Sequence, residues 1–319
     1  MEPVVVATPQ EIQQQPAVPA AVAPSQQARK QNEALGKLKY ERVEGKTTPT
    51  HVYATYPLKF LHPRGTVRQG FDTFITIECS VGADTTVVLA TQATTKVFKS
   101  DGANEYVLQS FTLTVESHAT LAFLPDPVTC FERAKYRQKQ VFHLAADASL
   151  VFVDWLTSGR KRNFISTGSV RDNRTEVHEH WDFSEYDNTA EIYIGGDRLL
   201  TDRVRLADEE DASLRQRMYG THVLGLLVVL GDRLKVITDL LLDLSTRKRL
   251  HNAQEITPQG RLPSQNGFPG VIASASPLGS NGVIVRFCGE TTEGAMHYVK
   301  TVLAALHKLI GFAPFQENR

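Results

Sequence analysis

Alternation of apolar and polar positions dominates the first two thirds of the chain. In residues 71–79, FDTFITIEC, a two-residue step puts Phe71, Thr73, Ile75, Ile77 and Cys79 on one side. Asp72, Thr76 and Glu78 take the other side, and Phe74 is out of phase. Residues 106–116 and 135–144 read as further strands. Three short segments echo one another: TVVLAT at 86–91, TLAFLP at 120–125 and SLVFVD at 149–154. Each follows a turn and runs into a polar or kinked continuation. Recurrence at roughly thirty residues predicts sheets coiled or stacked in layers, although the spacing is too irregular for a regular solenoid. Residues 52–61, VYATYPLKFL, mix aromatic and β-branched side chains around Pro57 and predict an edge or interrupted strand. Gly195-Gly196-Asp197 predicts a hairpin turn between 190–194 and 198–200.

Beyond about residue 205 the pattern changes. Asp208-Glu209-Glu210-Asp211 precedes Leu214, Arg215 and Met218, as at a helix start. Residues 223–230 and 234–244 fit strand or helix; β-branched content favours strand in the first, and Leu240-Leu241-Leu242 favours helix in the second. Residues 253–270, rich in Pro, Gly, Gln and Asn, read as a loop, and GVIVRFC at 282–288 as a short strand. The clearest helix closes the chain. Met296, Val299, Leu303, Leu306 and Ile310 recur at three- and four-residue steps, with Gly311 as the stop and Pro314 just beyond. Its apolar face either covers a sheet or docks a partner. The expected fold class is therefore mainly β, with coiled or layered, β-helix-like sheets and a few helices, including this amphipathic C-terminal one. Residues 1–34, rich in Pro and Gln, read as a disordered tail. Residues 35–319 read as a single domain, with a β-rich core to about 205 and a mixed β/helical C-terminal part.

Composition narrows the function by exclusion. Among 319 residues, 35 Lys and Arg balance 35 Asp and Glu, so there is no general pull toward nucleic acid or an anionic membrane. The most apolar run, 223–230, is far shorter than a bilayer requires. The N-terminus lacks the basic start and continuous apolar block of a secretory signal. Three cysteines, Cys79, Cys130 and Cys288, are far apart and odd in number, which fits a reducing compartment, and no CxxC pair marks a structural zinc. Neither GxxxxGK nor GxGxxG after a strand is present, and neither GxSxG nor HExxH occurs. ATPases, nicotinamide-dependent enzymes and the commoner hydrolases thus lose ground.

Three groups of residues carry candidate chemistry. Glu176, His178 and His180 would share one face of a strand, giving one oxygen and two nitrogen ligands to a metal; a solvated strand face produces the same spacing. The segment VVLATQATTKVFKS at 87–100 opens as a buried strand and breaks into the polar patch Thr91-Gln92-Ala93-Thr94-Thr95-Lys96. Such a patch is either cheap solvation of a strand edge or a surface that lines or docks something. Asp126 stands between Pro125 and Pro127, which stiffen its backbone.

Taken together, the pieces resemble the urease accessory protein of the D type, called H in some bacteria. The resemblance lies in YPLKFLHP at 56–63, ATQATTKVFKS at 90–100, FLPDPVTCFERAKYRQ at 123–138 and LVFVDWLTSGR at 150–160. It continues in HWDFSEYDNTAEIYIGGDRLLTD at 180–202 and in the C-terminal VRFCGETTE and LIGFAPF. The resemblance implies a cytoplasmic, non-enzymatic scaffold required for maturation of apo-urease by GTP-dependent nickel insertion. It implies partners: apo-urease and the F-type and G-type accessory proteins, with neither nucleic acid nor membrane among them. It implies no cofactor of the chain's own, nickel only in transit, and GTP used by the partner GTPase. By the same resemblance Thr91, Gln92, Thr94, Thr95, Lys96 and Asp126 are tunnel-lining or docking residues. Met296, Val299, Leu303 and Leu306 are the F-type partner contacts. The alternative is an all-β scaffold or binding protein of another assembly. Residues 64–79 lack the glycine-rich GGGxxxGD stretch usual in the family, which predicts a missing strand and turn there.

Overall fold

The three echoing segments lie side by side. In the computed structural model, which describes residues 33–55, 58, 74–91, 93–99, 106–164, 175–249 and 268–311, they form strands β4 (Thr86–Ala90), β7 (Thr120–Leu124) and β10 (Ser149–Thr157). They run parallel and in register, Val87 beside Leu121 and Leu121 beside Leu150. Each is reached from a strand of the opposite sheet: β3 (Phe74–Val81), β6 (Val107–Val115) and β9 (Lys135–Leu144). These too are parallel neighbours. The chain therefore winds as a coil of successive rungs, each with one strand per sheet, as the thirty-residue recurrence predicts.

The corners between the sheets hold the rungs in register. Backbone hydrogen bonds run from Glu116 N to Val81 O (2.9 Å), from Thr120 N to Thr85 O (2.8 Å) and from Ser149 N to Ala119 O (2.9 Å). Asp84 and His118 take left-handed backbone conformations at successive corners, with φ of 57° and 55°. Asp and His are among the residue types that tolerate this region. Asp147, at the third corner, accepts from Ser117 Oγ (2.7 Å) and from the His118 amide (3.2 Å).

The remaining strands widen the coil into a sandwich. In the first sheet, β1 (Glu33–Val43) adds parallel to β3, and β2 (Lys46–Ala54) closes that edge as an antiparallel hairpin. At the other edge β13 (Glu185–Ile194) pairs parallel to β9, and β14 (Asp197–Ala207) folds back from the predicted Gly195-Gly196 turn. The second sheet is extended by β15 (Val223–Leu230), then β17 (Gly282–Gly289), then the edge strand β16 (Val271–Leu278). Short strands β5 (Thr95–Val97) and β8 (Val128–Cys130) join its upper end. β11 (Lys161–Phe164) and β12 (Thr175–His178) form a separate ribbon.

One helical turn, α1 (Leu214–Arg217), sends Leu214 into the upper end of the sandwich. Three further helices cover the outer face of the second sheet: α2 (Lys235–Arg249), α3 (Thr292–Val302) and α4 (His307–Ile310). The layers separate three apolar clusters. One lies between the sheets around Leu113, Phe123, Phe142, Phe152 and Val228. A second lies beneath the helices around Leu227, Val285, Phe287, Val299 and Leu303. The third fills the upper end around Tyr136, Leu156, Trp181, Phe183 and Tyr186. No helix among the described residues is long and apolar enough to cross a membrane.

Several expectations are corrected. The missing strand and turn expected at 64–79 fall largely on residues 59–73, which lie outside the described ones; among the described strands, β6, β3 and β1 adjoin without a break. The strand expected at 52–61 starts earlier, at Lys46, and ends at Ala54. The acidic run 208–211 is not a helical first turn. Ser213 is the N-cap, in a capping box with Gln216, and Asp208 reaches forward to accept from Leu214 N (2.7 Å). Residues 223–230 are strand and 235–249 helix. The C-terminal helix is not continuous: α3 ends at Val302, Ala304–Leu306 form a 3₁₀ turn, and α4 follows. The Leu306 N–H bonds to Leu303 O at 2.9 Å, and that tighter turn leaves Leu303 and Leu306 both fully buried. Gly311 is the stop, left-handed at φ 81°. The tail expected at 1–34 falls almost entirely outside the described residues, and β1 already begins at Glu33.

Candidate functional site

Alternation along β9 aims Tyr136, Gln138, Gln140, Phe142 and Leu144 between the sheets. The lower two belong to the inter-sheet cluster and Tyr136 to the upper one, so two glutamines sit in the gap between apolar clusters. The same height on β10 holds Asp154, between Phe152 and Leu156, and on β13 holds Asn188, between Tyr186 and Ala190. A polar seam therefore crosses the interior of the sandwich.

Its hydrogen bonds run both between the sheets and along the first one. Asn188 Nδ2 donates to Asp154 Oδ2. Tyr136 donates to Gln109 Oε1 on β6 and lies 3.2 Å from Gln138 Oε1. At the far side Arg286 of β17 pairs with Asp202 of β14, closing the sandwich where the arginine reaches solvent. Burial raises the Asp154 carboxyl to about 6, against the opposing pull of the Asn188 and Gln140 amides, and the Asp202 charge raises it further. The Gln140 side chain lies close enough to favour the ionised carboxylate yet has no hydrogen bond of ordinary geometry, at either its oxygen or its nitrogen. Asn188 Oδ1 is likewise unpartnered.

These orphaned atoms matter because Gln140 is fully buried and Asn188 is nearly so. Leaving a buried amide unpaired costs about 1–3 kcal/mol, more than a seam kept for stability alone explains. The available donors are oxygens, Asp154 Oδ, Gln140 Oε1 and Asn188 Oδ1, which suit water or a hard to borderline cation. No group of three or more His, Cys, Asp or Glu side chains is placed to hold a metal ion among the described residues. The seam thus has the chemistry of weak, exchangeable coordination.

Comparison with known proteins places this architecture. The family model described as UreD urease accessory protein matches residues 32–319. The chain belongs to the UreD family. Urease accessory protein D of Arabidopsis thaliana is 33% identical over 316 residues, covering 88% of this chain and 99% of the relative. The protein of the same name from Oryza sativa subsp. indica is 32% identical over 310 residues, with 88% and 95% covered. Urease accessory protein UreD of Anaeromyxobacter sp. is 30% identical over 294 residues, with 88% of each chain covered. Membership implies a role in urease maturation, in association with urease and other accessory proteins. It also agrees with a non-catalytic part, since the relatives are named as accessory proteins.

The residues singled out through resemblance to the UreD family lie mostly outside the seam. The Thr91 hydroxyl accepts from the Asp126 amide at 2.8 Å, on the segments that follow β4 and β7. Burial raises the Asp126 carboxyl, opposed by the Thr91 hydroxyl and by Lys300 of α3. That pair therefore faces the helical layer. Thr94 is half-buried; Thr95 stands in register with Val128, and Lys96 is exposed beside Thr129. Gln92 lies outside the described residues.

Two further groups need correction. Strand β12 stops at His178, so the alternation that would align Glu176, His178 and His180 does not reach His180. The turn that follows is fixed by Gly159, at φ 141°, where a Cβ would lie 1.8 Å from the Glu179 carbonyl oxygen. His180 instead stacks on His222, ring centroids 4.1 Å apart, with Nδ1 2.9 Å from Ser158 Oγ. On the C-terminal helix Val299, Leu303 and Leu306 are buried against the second sheet and Met296 packs on the same cluster. That face covers the chain's own sheet, and a partner would have to meet the opposite one. Reasoning from sequence missed Gln140, Asp154 and Asn188, whose only local signal is a polar residue at a core-facing position of an alternating strand.

Proposed function

We propose that this chain is a cytoplasmic, non-enzymatic scaffold for urease maturation. It bridges apo-urease to the F-type and G-type accessory proteins and lets nickel cross between the sheets on its way to the urease active site. The match to the UreD urease accessory protein family from residue 32 to residue 319, with relatives named urease accessory proteins, carries this reading. Nickel is cargo, held by no ligand set for long, and GTP is consumed by the partner GTPase. The seam supports a route because it supplies oxygen donors without enough of them to trap a divalent ion. Free cysteines at 79, 130 and 288 support a reducing compartment.

Complementation tests both parts. Cells that express urease but lack their own D-type factor should regain urease activity when given this chain. The variant Asp154→Leu with Gln140→Leu should stay soluble and still associate with apo-urease, yet leave the enzyme inactive. No rescue by the soluble wild-type chain sinks the pathway. Full rescue by the double variant leaves the pathway standing and sinks the seam as the route.

A further inference from the structure

At the corner end of the coil, remote from the upper apolar cluster, Arg42, Asp84, His118 and Arg233 line an open cleft of about 450 Å³. They come from the end of β1, from two successive corners, and from the turn after β15, so only the completed fold brings them together. Both guanidinium groups are held in place by carbonyl groups of the left-handed corner residues. Arg42 Nη1 donates to Asp84 O at 2.9 Å. Arg233 Nη1 donates to His118 O at 3.2 Å and to the hydroxyl of the fully buried Thr120 at 3.1 Å. Asp147 holds the His118 ring through Nδ1 at 3.1 Å, which leaves Nε2 for the cleft.

Neither of these two arginines has a carboxylate within ion-pair distance among the described residues. Among the described residues, every other arginine with a described side chain except Arg198 has a carboxylate within 4 Å. Arg42 and Arg233 have only neutral carbonyl and hydroxyl partners, and each keeps most of its five N–H donors unused. A guanidinium oriented by one bond presents its remaining donors as a fork that matches an oxyanion. Asp84 lines the same cleft, and a carboxylate there repels a fully ionised anion but accepts from one that keeps an O–H.

We propose that this cleft binds a phosphate-class oxyanion that retains a hydroxyl, gripped by Arg42 and Arg233 with the hydroxyl turned to Asp84. The volume exceeds a bare phosphate and admits the body of a small phosphomonoester. The site is independent of urease maturation and of the seam.

The test is thermal unfolding of the full chain at pH 6.5 and constant ionic strength, with inorganic phosphate, glycerol 3-phosphate, sulfate or chloride added. Phosphate and the phosphomonoester should raise the melting temperature with saturation, sulfate less, chloride not at all. Tighter binding of glycerol 3-phosphate assigns an organic phosphate, and equal affinities assign the free ion. Both arginines are exposed, so Arg42→Ala and Arg233→Ala should fold, and each should weaken binding at least about tenfold. Asp84→Asn should bring sulfate level with phosphate. Phosphorus NMR line broadening on Arg233→Lys gives a second reading if an alanine variant is unstable. Equal stabilisation by chloride, or saturable phosphate binding that survives Arg42→Ala with Arg233→Ala, overturns the proposal.

Discussion

Asp154 shows how a single buried acid changes the behaviour of the whole chain with pH. Its carboxyl is raised to about 6 from an ordinary 3.8, chiefly by burial. The folded chain therefore holds the proton more tightly than the unfolded chain. Stability is fully present below the unfolded value and is lost as pH climbs through the folded one. The gap integrates to ~3 kcal/mol for this completely buried group. Asp154→Asn keeps the shape and removes the titration, so metal-free variant and wild type should diverge between pH 4 and pH 7, the variant gaining. Urea midpoints across that range would check it, and a pH-independent difference would show that Asp154 titrates as an ordinary exposed acid. The same residue explains why the seam was not legible in sequence. Gln140, Asp154 and Asn188 sit on three different strands, and none stands out locally from the residues around it. Only the parallel register that sets Asn188 beside Gln138, and β10 across from both, turns scattered polar residues into a line.

At the scale of elements, periodicity worked where one face alone meets solvent. Lys135–Leu144 and the hairpin around Gly195-Gly196 appear as expected because their outer faces are wet and their inner faces are not. It was undecided at one strand that is covered on both faces. Val223–Leu230 lies between the inter-sheet cluster and the helices, so its run of apolar residues carries no period with which to tell strand from helix. The C-terminal helix was readable as amphipathic, but whether its face met a sheet or a partner was not, since the pattern is the same for both. Burial of Leu303 in the cluster beneath the helices, with α3 packed on β17 and β16, decides it. Leu303→Ala should cost about 2–5 kcal/mol of stability, as for other fully buried leucines, and should weaken partner binding only in proportion to unfolding. Chemical denaturation alongside a binding assay at low temperature would separate the two. Lost affinity in a fully folded variant would return this face to the partner.

On the scale of the whole molecule, the coil and the sandwich are assembled from different parts of the chain. Strands up to β14 complete the first sheet, whereas the second sheet has only β4, β7, β10 and the short upper strands by that point. β15, β17, β16 and all the helices among the described residues come from the remaining third. A chain ending at residue 207 would leave Val151, Val153 and Trp155 without their helical cover and the long edge of β10 unpaired. Such a fragment should aggregate or bind a hydrophobic dye, and a soluble, dye-silent fragment would show that the coil folds on its own.

The Arg286–Asp202 pair joins an early strand to a late one. During synthesis, which proceeds at about 5–20 residues per second, the acid side of the interior stands open until β17 leaves the ribosome. The order of translation thus makes the wall holding Arg286 the last to be set, and whatever water or ion the interior encloses is enclosed at that step.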